Sequence, residues 1–329
     1  MRVLVVGGTS FVGRAMAHEA LSRGHQVSVI NRGQTATDLP PTVERLRGDR
    51  SVDFASLRGR RFDATIDCTA YRPRDVDVLA RDLGDRAGFV VHVSTISAYR
   101  EPAAPHLTEG DLELHPDDPS LAEAPVTSAT YGPLKAMTER RAVESFAGVA
   151  VVRPTYILGS HDATHRFPYW IARARRGGAI AIPGSTDVPL QYIDARDLAT
   201  FSLDLARDGR PASVHVAAPD PATTYAAVVR EAIARCGAPD ATTRVVDGGR
   251  VDAAGLTARF PLWAGRRGAP ILTLDTTAAQ ERGLRPRPLA ETIDDTAAWW
   301  PLDGWSDAWL SAEDEARLIA TDEGPGADE

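Results

Sequence analysis

A tyrosine and a lysine four positions apart are the side chains best suited to chemistry in this sequence. They lie in Tyr131-Gly-Pro-Leu-Lys135, where the pattern predicts a helix that continues to about Phe146. Residues four apart share one helix face, so both side chains can reach the same cleft. An ammonium near a phenol lowers the phenol's pKa from its ordinary value of about 10. The pair could therefore exchange a proton with a substrate oxygen.

Two hydroxyl residues directly follow a strand that the sequence predicts at Phe89–Val93. They are Ser94 and Thr95. Ligands of open α/β sheets bind at the carboxyl ends of the strands, so these hydroxyls are expected to face the site. Either could hold and orient the substrate oxygen. A Tyr-x-x-x-Lys spacing is common by chance, so the interpretation depends on the elements around it.

A glycine-rich turn near the start of the chain supplies that context. An apolar strand is predicted at Val3–Val6 and a helix at Phe11–Ser22, and the turn lies between them. Strand, glycine turn and helix in this order are typical of a site for a dinucleotide pyrophosphate, which the helix N-terminus attracts. Ser10 stands where many such turns have a middle glycine. The predicted contacts are Gly7, Gly8, Thr9, Ser10, Phe11, Val12 and Gly13.

The end of the next predicted strand, Gln26–Ile30, bears on which cofactor is used. An acidic residue there would accept hydrogen bonds from the adenosine ribose of NAD, but the sequence has Asn31 and Arg32. Because an arginine can pair with a 2′-phosphate, we predict NADP as the preferred cofactor, with NAD possible. A nicotinamide site beside Tyr131 predicts hydride transfer, in which the lysine would also bind the nicotinamide ribose.

These motifs, in this order, resemble the short-chain dehydrogenase/reductase superfamily in its extended or atypical branch, the NAD-dependent epimerase/dehydratase family. The resemblance covers nearly the whole chain. It implies an α/β fold with a doubly wound parallel (Rossmann) sheet and a smaller, mostly C-terminal substrate-binding lobe. It also implies that Thr95 is the catalytic hydroxyl, that Tyr131 is the acid/base and that Lys135 is its partner. Further cofactor contacts implied by the resemblance are Asp49, Cys68, Thr69, Ala70 and Pro154.

One departure from the family pattern narrows the activity. In the sugar-nucleotide dehydratases an Asp-Glu pair follows the catalytic threonine, whereas this chain has Ile96 and Ser97. A reductase, dehydrogenase or epimerase remains, and the predicted NADP preference favours an NADPH-dependent reductase or dehydrogenase acting on a ketone or secondary alcohol. A sugar-nucleotide epimerase with tightly bound NAD is the alternative, for which Arg173, Arg175 and Arg176 could bind the diphosphate. A non-catalytic cofactor-sensing or RNA-binding relative is a third interpretation.

Candidate substrate contacts are spread along the chain. A metal site at His161, Asp162 and His165 is the weaker interpretation of the loop that contains them, because no zinc-type cluster accompanies them, and we expect no metal. Most of the aromatic residues at Phe167, Tyr169, Trp170 and Trp263 are predicted to form the core of the lobe. The candidate contacts with a small carbonyl, alcohol or sugar-nucleotide substrate are Tyr71, Ser97, His161, Arg166 and Tyr192.

Composition restricts the possible partners. The 329 residues carry a net charge of −8, which disfavours nucleic acid, and apolar runs are too short to cross a membrane. No secretory signal is visible, so we expect a cytoplasmic protein, and analogy with the family predicts a homodimer. The predicted divisions are a dinucleotide-binding domain at 1–155, its sheet completed by about 188–218, a substrate lobe at 156–187 and 219–311, and a flexible acidic tail at 312–329.

Overall fold

The computed structural model describes residues 1–35, 37–101, 104–266, 268 and 270–322. Its strands are β1 (Arg2–Val6), β2 (Gln26–Asn31), β3 (Glu44–Arg47), β4 (Ala64–Asp67), β5 (Phe89–Val93), β6 (Val149–Pro154), β7 (Tyr156–Leu158), β8 (Ala179–Pro183), β9 (Pro189–Asp194), β10 (Ala212–Val216), β11 (Ala218–Thr224) and β12 (Thr242–Val246). Its α-helices are α1 (Phe11–Ser22), α2 (Pro73–Leu83), α3 (Ser128–Ser145), α4 (Arg166–Arg176), α5 (Ala195–Asp208), α6 (Tyr225–Cys236), α7 (Gly248–Ala253), α8 (Thr277–Glu281), α9 (Leu289–Trp299) and α10 (Ala312–Asp322).

A parallel sheet forms the centre of the molecule. Within the described residues it has seven strands in the order β10-β6-β5-β4-β1-β2-β3, and every neighbouring pair is parallel. From β1 the chain winds outward to β2 and β3, then returns to place β4 on the other side of β1. This reversal leaves a crevice at the carboxyl ends of β1 and β4, where ligands of such sheets bind. The predicted doubly wound parallel sheet is confirmed.

Alternating apolar side chains of the strands anchor helices on both faces of the sheet. Val3 and Val5 pack with α1 and α5, whereas Leu4 and Val6 pack with α2 and α3. Strands covered on both faces read as continuous apolar runs, which is why β1 and β5 were recognisable in the sequence. The helix α3 begins at Ser128, one turn before the predicted start at Tyr131, because Thr127 caps it and accepts a hydrogen bond from Thr130 N.

A second core lies between the remaining helices and two small sheets. One sheet has the order β11-β9-β7 and the other pairs β12 with β8. The aromatic residues predicted to form this core are indeed buried: Phe167, Tyr169, Trp170 and Trp263 are at most 7% exposed. Among the described helices, none is both long enough and apolar enough to span a bilayer.

The prediction of a flexible tail from residue 312 is wrong for 312–322, which form α10. The Glu315 carboxylate is buried, accepts a hydrogen bond from Arg173 Nε (2.6 Å) and another from Ala181 N (2.9 Å). Leu318, one turn later, is also buried. The acidic composition of this segment suggested a solvated tail. The sequence does not show that Arg173, distant in sequence, neutralises the buried Glu315 carboxylate. The rest of the predicted tail, 323–329, lies outside the described residues.

Candidate active site

A cleft of about 460 Å³ opens at the carboxyl ends of β1, β2 and β4. Seven of the predicted cofactor contacts line it: Gly7, Thr9, Ser10, Asn31, Arg32, Asp49 and Thr69. Its other walls include residues that sequence reasoning did not select for the cofactor, among them Gln34, Thr35, Arg50, Ser51, Phe54, Arg72 and Arg74. The cleft therefore joins the glycine turn to the loops after β2, β3 and β4.

The glycine turn presents bare backbone to this cleft. Gly7 has a φ of +84°, and a Cβ there would lie 2.2 Å from Thr69 Cγ2. A Cβ on Gly13 would lie 2.2 Å from Gly7 O, so only glycine lets α1 start this close to β1. Ser10 is the N-cap of α1 but makes no side-chain cap, and the first turn carries no acidic residue. The turn and helix N-terminus thus fit an anionic pyrophosphate.

Gly8, Phe11 and Val12 support the turn rather than line the cleft. A Cβ on Gly8 would lie 2.6 Å from Val29 Cγ1, so Gly8 fits against β2. Phe11 has a φ of +34° and is the first residue of α1, and Val12 packs against the core between the sheet and α1.

Two arginines flank the turn after β2. Asn31 Oδ1 accepts a hydrogen bond from Gly33 N (2.7 Å), which fixes the turn. Arg32 lines the cleft, and a Cβ on Gly33 would lie 3.1 Å from Arg47 Nε, so Arg47 lies against the same turn. The Asp49 carboxylate accepts hydrogen bonds from Ser51, which hold its pKa below the ordinary value. This end of the cleft therefore has the Arg32 guanidinium and one fixed carboxylate, with Arg47 behind the turn.

Arg50 is a cleft residue that sequence reasoning missed. Its Nη2 donates to Asp67 Oδ1 (2.9 Å), while its buried Nη1 has no hydrogen-bond partner among the described residues. Burial opposes ionisation of Asp67, but the charge of Arg50 keeps its pKa below the ordinary value. A buried donor left without a partner costs free energy unless a ligand satisfies it. Together with the bare glycine turn, this donor fits a dinucleotide.

Lys135 is held at the ends of β4 and β5. It is 3% exposed, and its Nζ donates to Ala70 O (2.9 Å) and Val93 O (2.7 Å). Burial lowers its pKa to about 8. It is also the only lysine in the sequence, since the other basic residues are all arginines. A single lysine among arginines could have marked Lys135 as a functional residue from the sequence, because a buried ammonium titrates far more readily than a buried guanidinium.

Tyr131 lies beside Thr95 and Tyr71. Burial raises the pKa of its phenol, and the neighbouring Thr95 hydroxyl acts in the opposite direction without reversing the shift. The Tyr71 ring lies 6.3 Å from the Tyr131 ring, and Lys135 Nζ lies 5.8 Å from the Tyr71 ring centroid. The sequence predicted a lowered pKa, but the ammonium is directed at two carbonyls and burial dominates. The phenol therefore stays protonated and can donate its proton.

A glycine brings α3 onto the loop that carries Thr95. A Cβ on Gly132 would lie 2.2 Å from Ser97 O, so any side chain there would push the helix away. Ser97 N donates to Thr95 Oγ1 (3.2 Å). Ser97 itself is exposed and contributes to the site through its backbone. The spacing Tyr-Gly-x-x-Lys thus has a packing reason as well as a chemical one.

The Ser94 hydroxyl is engaged elsewhere. It donates to the Glu139 carboxylate, which forms a buried ion pair with Arg153 (2.7 Å). Arg153 Nη1 donates to Tyr99 Oη (2.7 Å). The structure therefore brings Thr95, and not Ser94, to the Tyr131 hydroxyl, and it places Ser94 in a buried network below the site.

The remaining predicted contacts divide between this site and other places. Arg166 is exposed and lies against the Tyr156 and Trp309 rings, and its charge only opposes the rise in the pKa of the Tyr131 phenol. His161 stacks on Trp299 (4.9 Å between rings) in a cavity lined by α1, and Tyr192 is buried beside another cavity. Pro154, a predicted cofactor contact, is the last residue of β6. Cys68, another, follows β4, and burial raises the pKa of its thiol. Of the substrate candidates, Tyr71 therefore has its ring beside that of Tyr131.

The pKa of Lys135 makes stability depend on pH. The folded chain loses this proton near pH 8, whereas an ordinary lysine loses it near 10.5. Between these values the unfolded state binds more protons, so the free energy of unfolding contributed by this group rises with pH. We expect wild type to gain up to about 3 kcal/mol over Lys135→Met across this interval. Denaturant unfolding of both proteins at several pH values measures the difference.

The single lysine allows an independent check. Protein labelled with ¹⁵N-lysine gives one Nζ signal, whose titration in the cofactor-free protein should have a midpoint near pH 8. A midpoint near 10.5, with a pH-independent difference between the two proteins, would show that the ammonium is not destabilised by burial.

Comparison with known proteins gives a family, two relatives and a fold match. The model of the NAD dependent epimerase/dehydratase family matches residues 3–217. The chain is 31% identical over 221 residues to a 2-alkyl-3-oxoalkanoate reductase of Stenotrophomonas maltophilia (61% of this chain, 64% of that protein). It is 24% identical over 220 residues to the chloroplast stem-loop binding protein of 41 kDa b of Arabidopsis thaliana (62% of this chain, 54% of that protein). Both matches span less than two thirds of the relative's length.

A solved structure shares the fold. The UDP-glucose 4-epimerase of Thermotoga maritima, solved with UDP-glucose, superposes with a TM-score of 0.67 at 18% identity, covering 91% of this chain and 98% of that one. At this identity the likeness concerns the fold, and the cleft described above is where such a fold binds its ligand.

Proposed function

Because the chain belongs to the NAD dependent epimerase/dehydratase family, we propose that it is an NADPH-dependent reductase or dehydrogenase acting on a ketone or secondary alcohol of a small metabolite. The observation that carries the proposal is the half-buried Tyr131, whose phenol burial keeps protonated and which lies near the Thr95 hydroxyl. A protonated acid beside a second hydroxyl is what reduction of a carbonyl requires.

Each residue then has a defined task. The cofactor supplies the hydride when it is bound. Tyr131 Oη donates a proton to the carbonyl oxygen, which the Thr95 hydroxyl orients. Lys135, fixed by two of its three N–H groups, has the third available for the nicotinamide ribose. Gly7 and the start of α1 hold the pyrophosphate, and Arg50 Nη1 supplies a buried donor to the cofactor.

The contacts of the three arginines of α4 that could bind a diphosphate disfavour the epimerase alternative. A sugar-nucleotide diphosphate would need cationic side chains in the lobe, but Arg173 pairs with Glu315 (2.6 Å) and Arg175 donates to Ala297 O (2.7 Å). Arg176 stacks on Trp305, 3.8 Å from the ring centroid. All three therefore serve the packing of α4. The name of the Stenotrophomonas relative also favours a reductase.

The third interpretation, an RNA-binding or cofactor-sensing protein, is suggested by the name of the Arabidopsis relative. The net charge of −8 disfavours binding to a polyanion. The half-buried Tyr131 and the buried Lys135 retain what catalysis needs. Cytoplasmic location and homodimer formation stay predictions.

We expect Arg32→Ala to weaken NADPH binding about ten- to a hundredfold while leaving NADH binding unchanged, because only NADPH carries the 2′-phosphate. Fluorescence titration with both cofactors measures this. Arg61→Ala is the matched control, since Arg61 is exposed, lies outside the cleft and makes only a 3.7 Å contact with Asp85. Equal losses for NADPH and NADH would contradict a phosphate contact.

The proposed activity is tested first on the purified protein. Its absorbance spectrum shows whether a cofactor is retained, and titration shows whether NADPH exchanges. Exchangeable NADPH, followed by its oxidation with a carbonyl substrate, supports the reductase. Retained NAD, with isomerisation of a sugar nucleotide and no net change in reduced nicotinamide, would instead establish the epimerase.

A further inference from the structure

One buried ion pair holds both ends of the loop that carries Thr95, residues 94–99. At the start of this loop the Ser94 hydroxyl donates to the Glu139 carboxylate. At its end the Tyr99 hydroxyl accepts a hydrogen bond from Arg153 Nη1 (2.7 Å), and the Arg153 guanidinium lies 4.8 Å from the centroid of the Tyr99 ring. Because Glu139 and Arg153 are themselves paired (2.7 Å), the two ends of the loop are fixed relative to each other.

The middle of this loop is bonded within itself and packed against α3. Thr95 Oγ1 accepts a hydrogen bond from Ser97 N (3.2 Å), and Thr95 O accepts one from Ala98 N (3.2 Å). Ser97 O in turn lies against Gly132, the residue that follows Tyr131. The place of the Thr95 hydroxyl relative to Tyr131 therefore depends on how the two ends of the loop are held.

A buried histidine extends the network beyond Tyr99. His215 lies on β10 and is fully buried, with its Nε2 2.8 Å from Tyr99 Oη and its Nδ1 2.9 Å from Asp275 O. Burial lowers the pKa of His215, although the nearby Glu109 carboxylate acts in the opposite direction, so the ring is neutral. Because a carbonyl oxygen only accepts hydrogen bonds, Nδ1 carries the single ring proton and Nε2 is an acceptor.

The hydrogen bonds therefore have one direction at Tyr99. An arginine N–H only donates, so Tyr99 Oη accepts from Arg153, and the Tyr99 O–H donates to His215 Nε2. Burial raises the pKa of Tyr99, which keeps this hydroxyl protonated. Tyr99 is 4% exposed and His215 is 0% exposed, so water cannot replace either partner. Buried polar groups that are paired in this way make the structure that they join rigid.

We propose that Tyr99 and His215 are positioning residues for the reaction, and that they set the place of the Thr95 hydroxyl through Arg153 and the loop 94–99. This inference rests on the proposed reductase function, because it concerns the hydroxyl that orients the carbonyl oxygen. Neither residue is among those that line the cofactor cleft. A displacement of about 1 Å at a reacting group can cost about a hundredfold in rate, so the network should affect kcat more than binding.

The main test removes one oxygen from the network. Tyr99→Phe keeps the ring beside Arg153 but leaves Arg153 Nη1 and His215 Nε2 without their partner. We expect kcat to fall about 10- to 100-fold, with KM and NADPH affinity within about twofold of wild type. Tyr225→Phe is the matched control, because Tyr225 is also buried and its hydroxyl donates to Pro261 O (2.8 Å) in the core of the lobe. Initial rates with NADPH and a carbonyl substrate give kcat and KM.

Further variants test the two ends of the network. His215→Gln keeps an acceptor near the Nε2 position, so its kcat should stay within a few-fold of wild type, whereas His215→Leu should resemble Tyr99→Phe. Ser94→Ala releases the other end of the loop and should also lower kcat about tenfold without raising KM. It tests the same point should Tyr99→Phe not fold, which circular dichroism and NADPH affinity report.

The proton arrangement is measured without turnover. In protein labelled with ¹⁵N-histidine, His215 should show a protonated Nδ1 and an unprotonated Nε2, in signals identified by their loss from His215→Gln. The opposite tautomer, an effect on KM alone, or equal losses of kcat in Tyr99→Phe and Tyr225→Phe would overturn the positioning role. A wild type that reduces no carbonyl compound with NADPH would overturn the proposed function itself, while the histidine signals would still test the network.

Discussion

Replacing Tyr131 with phenylalanine should reduce kcat about a hundredfold to ten-thousandfold while leaving NADPH affinity within about twofold of wild type, in line with the usual contribution of a general acid. The substitution removes one oxygen and keeps the ring that lies beside Tyr71. The hydroxyl partner Thr95 and the cofactor cleft remain in place. Initial rates of NADPH oxidation measure kcat, and fluorescence titration measures binding.

Tyr71→Phe is the matched control for this experiment. Tyr71 also borders the site and burial also raises its pKa, but Thr95 acts on the pKa of the Tyr131 phenol and not on that of Tyr71. We expect its kcat to stay within a few-fold of wild type. If Tyr131→Phe kept full activity, or if both variants lost activity equally, Tyr131 would not be the proton donor.

The sequence was sufficient to predict the parts of this site that depend on local spacing. The glycine turn and the bounds of α1 are encoded within stretches of about a dozen residues. Their order along the chain then led to the family, which is confirmed, and to the doubly wound sheet. The packing role of Gly132 also lies within such a stretch, although the spacing alone did not reveal it.

The parts that could not be predicted depend on partners distant in sequence. Arg50 lines the cleft and is ion-paired with Asp67, and Ser94 is withdrawn from the site because its hydroxyl donates a hydrogen bond to Glu139. The raised pKa of Tyr131 depends on how deeply the fold buries it. Periodicity and motif spacing describe neighbours along the chain. They do not show which distant residues pair or how deeply a side chain is buried, and only the structure gives these.

The ion pair below the site should be essential for stability. Arg153 and Glu139 have side chains only 7% and 3% exposed, and three hydrogen bonds join them. In Arg153→Met the Glu139 carboxylate would stay buried. It would keep its hydrogen bond from the Ser94 hydroxyl but lose the positive charge that pairs with it. Removing one partner of a buried pair costs about 3–5 kcal/mol, so the free energy of unfolding should fall by that amount. Urea denaturation followed by circular dichroism measures it.

The double variant Glu139→Gln/Arg153→Met distinguishes loss of charge balance from loss of packing. It removes both charges while keeping an acceptor for Ser94, so it should recover much of the stability that Arg153→Met loses. Glu139 lies one helical turn after Lys135, and its charge raises the pKa of that lysine against the effect of burial. The double variant should therefore lower the Lys135 pKa below about 8, a shift that its single Nζ signal reports. Similar instability in single and double variants would mean that the shape of Arg153, and not its charge, supports the site.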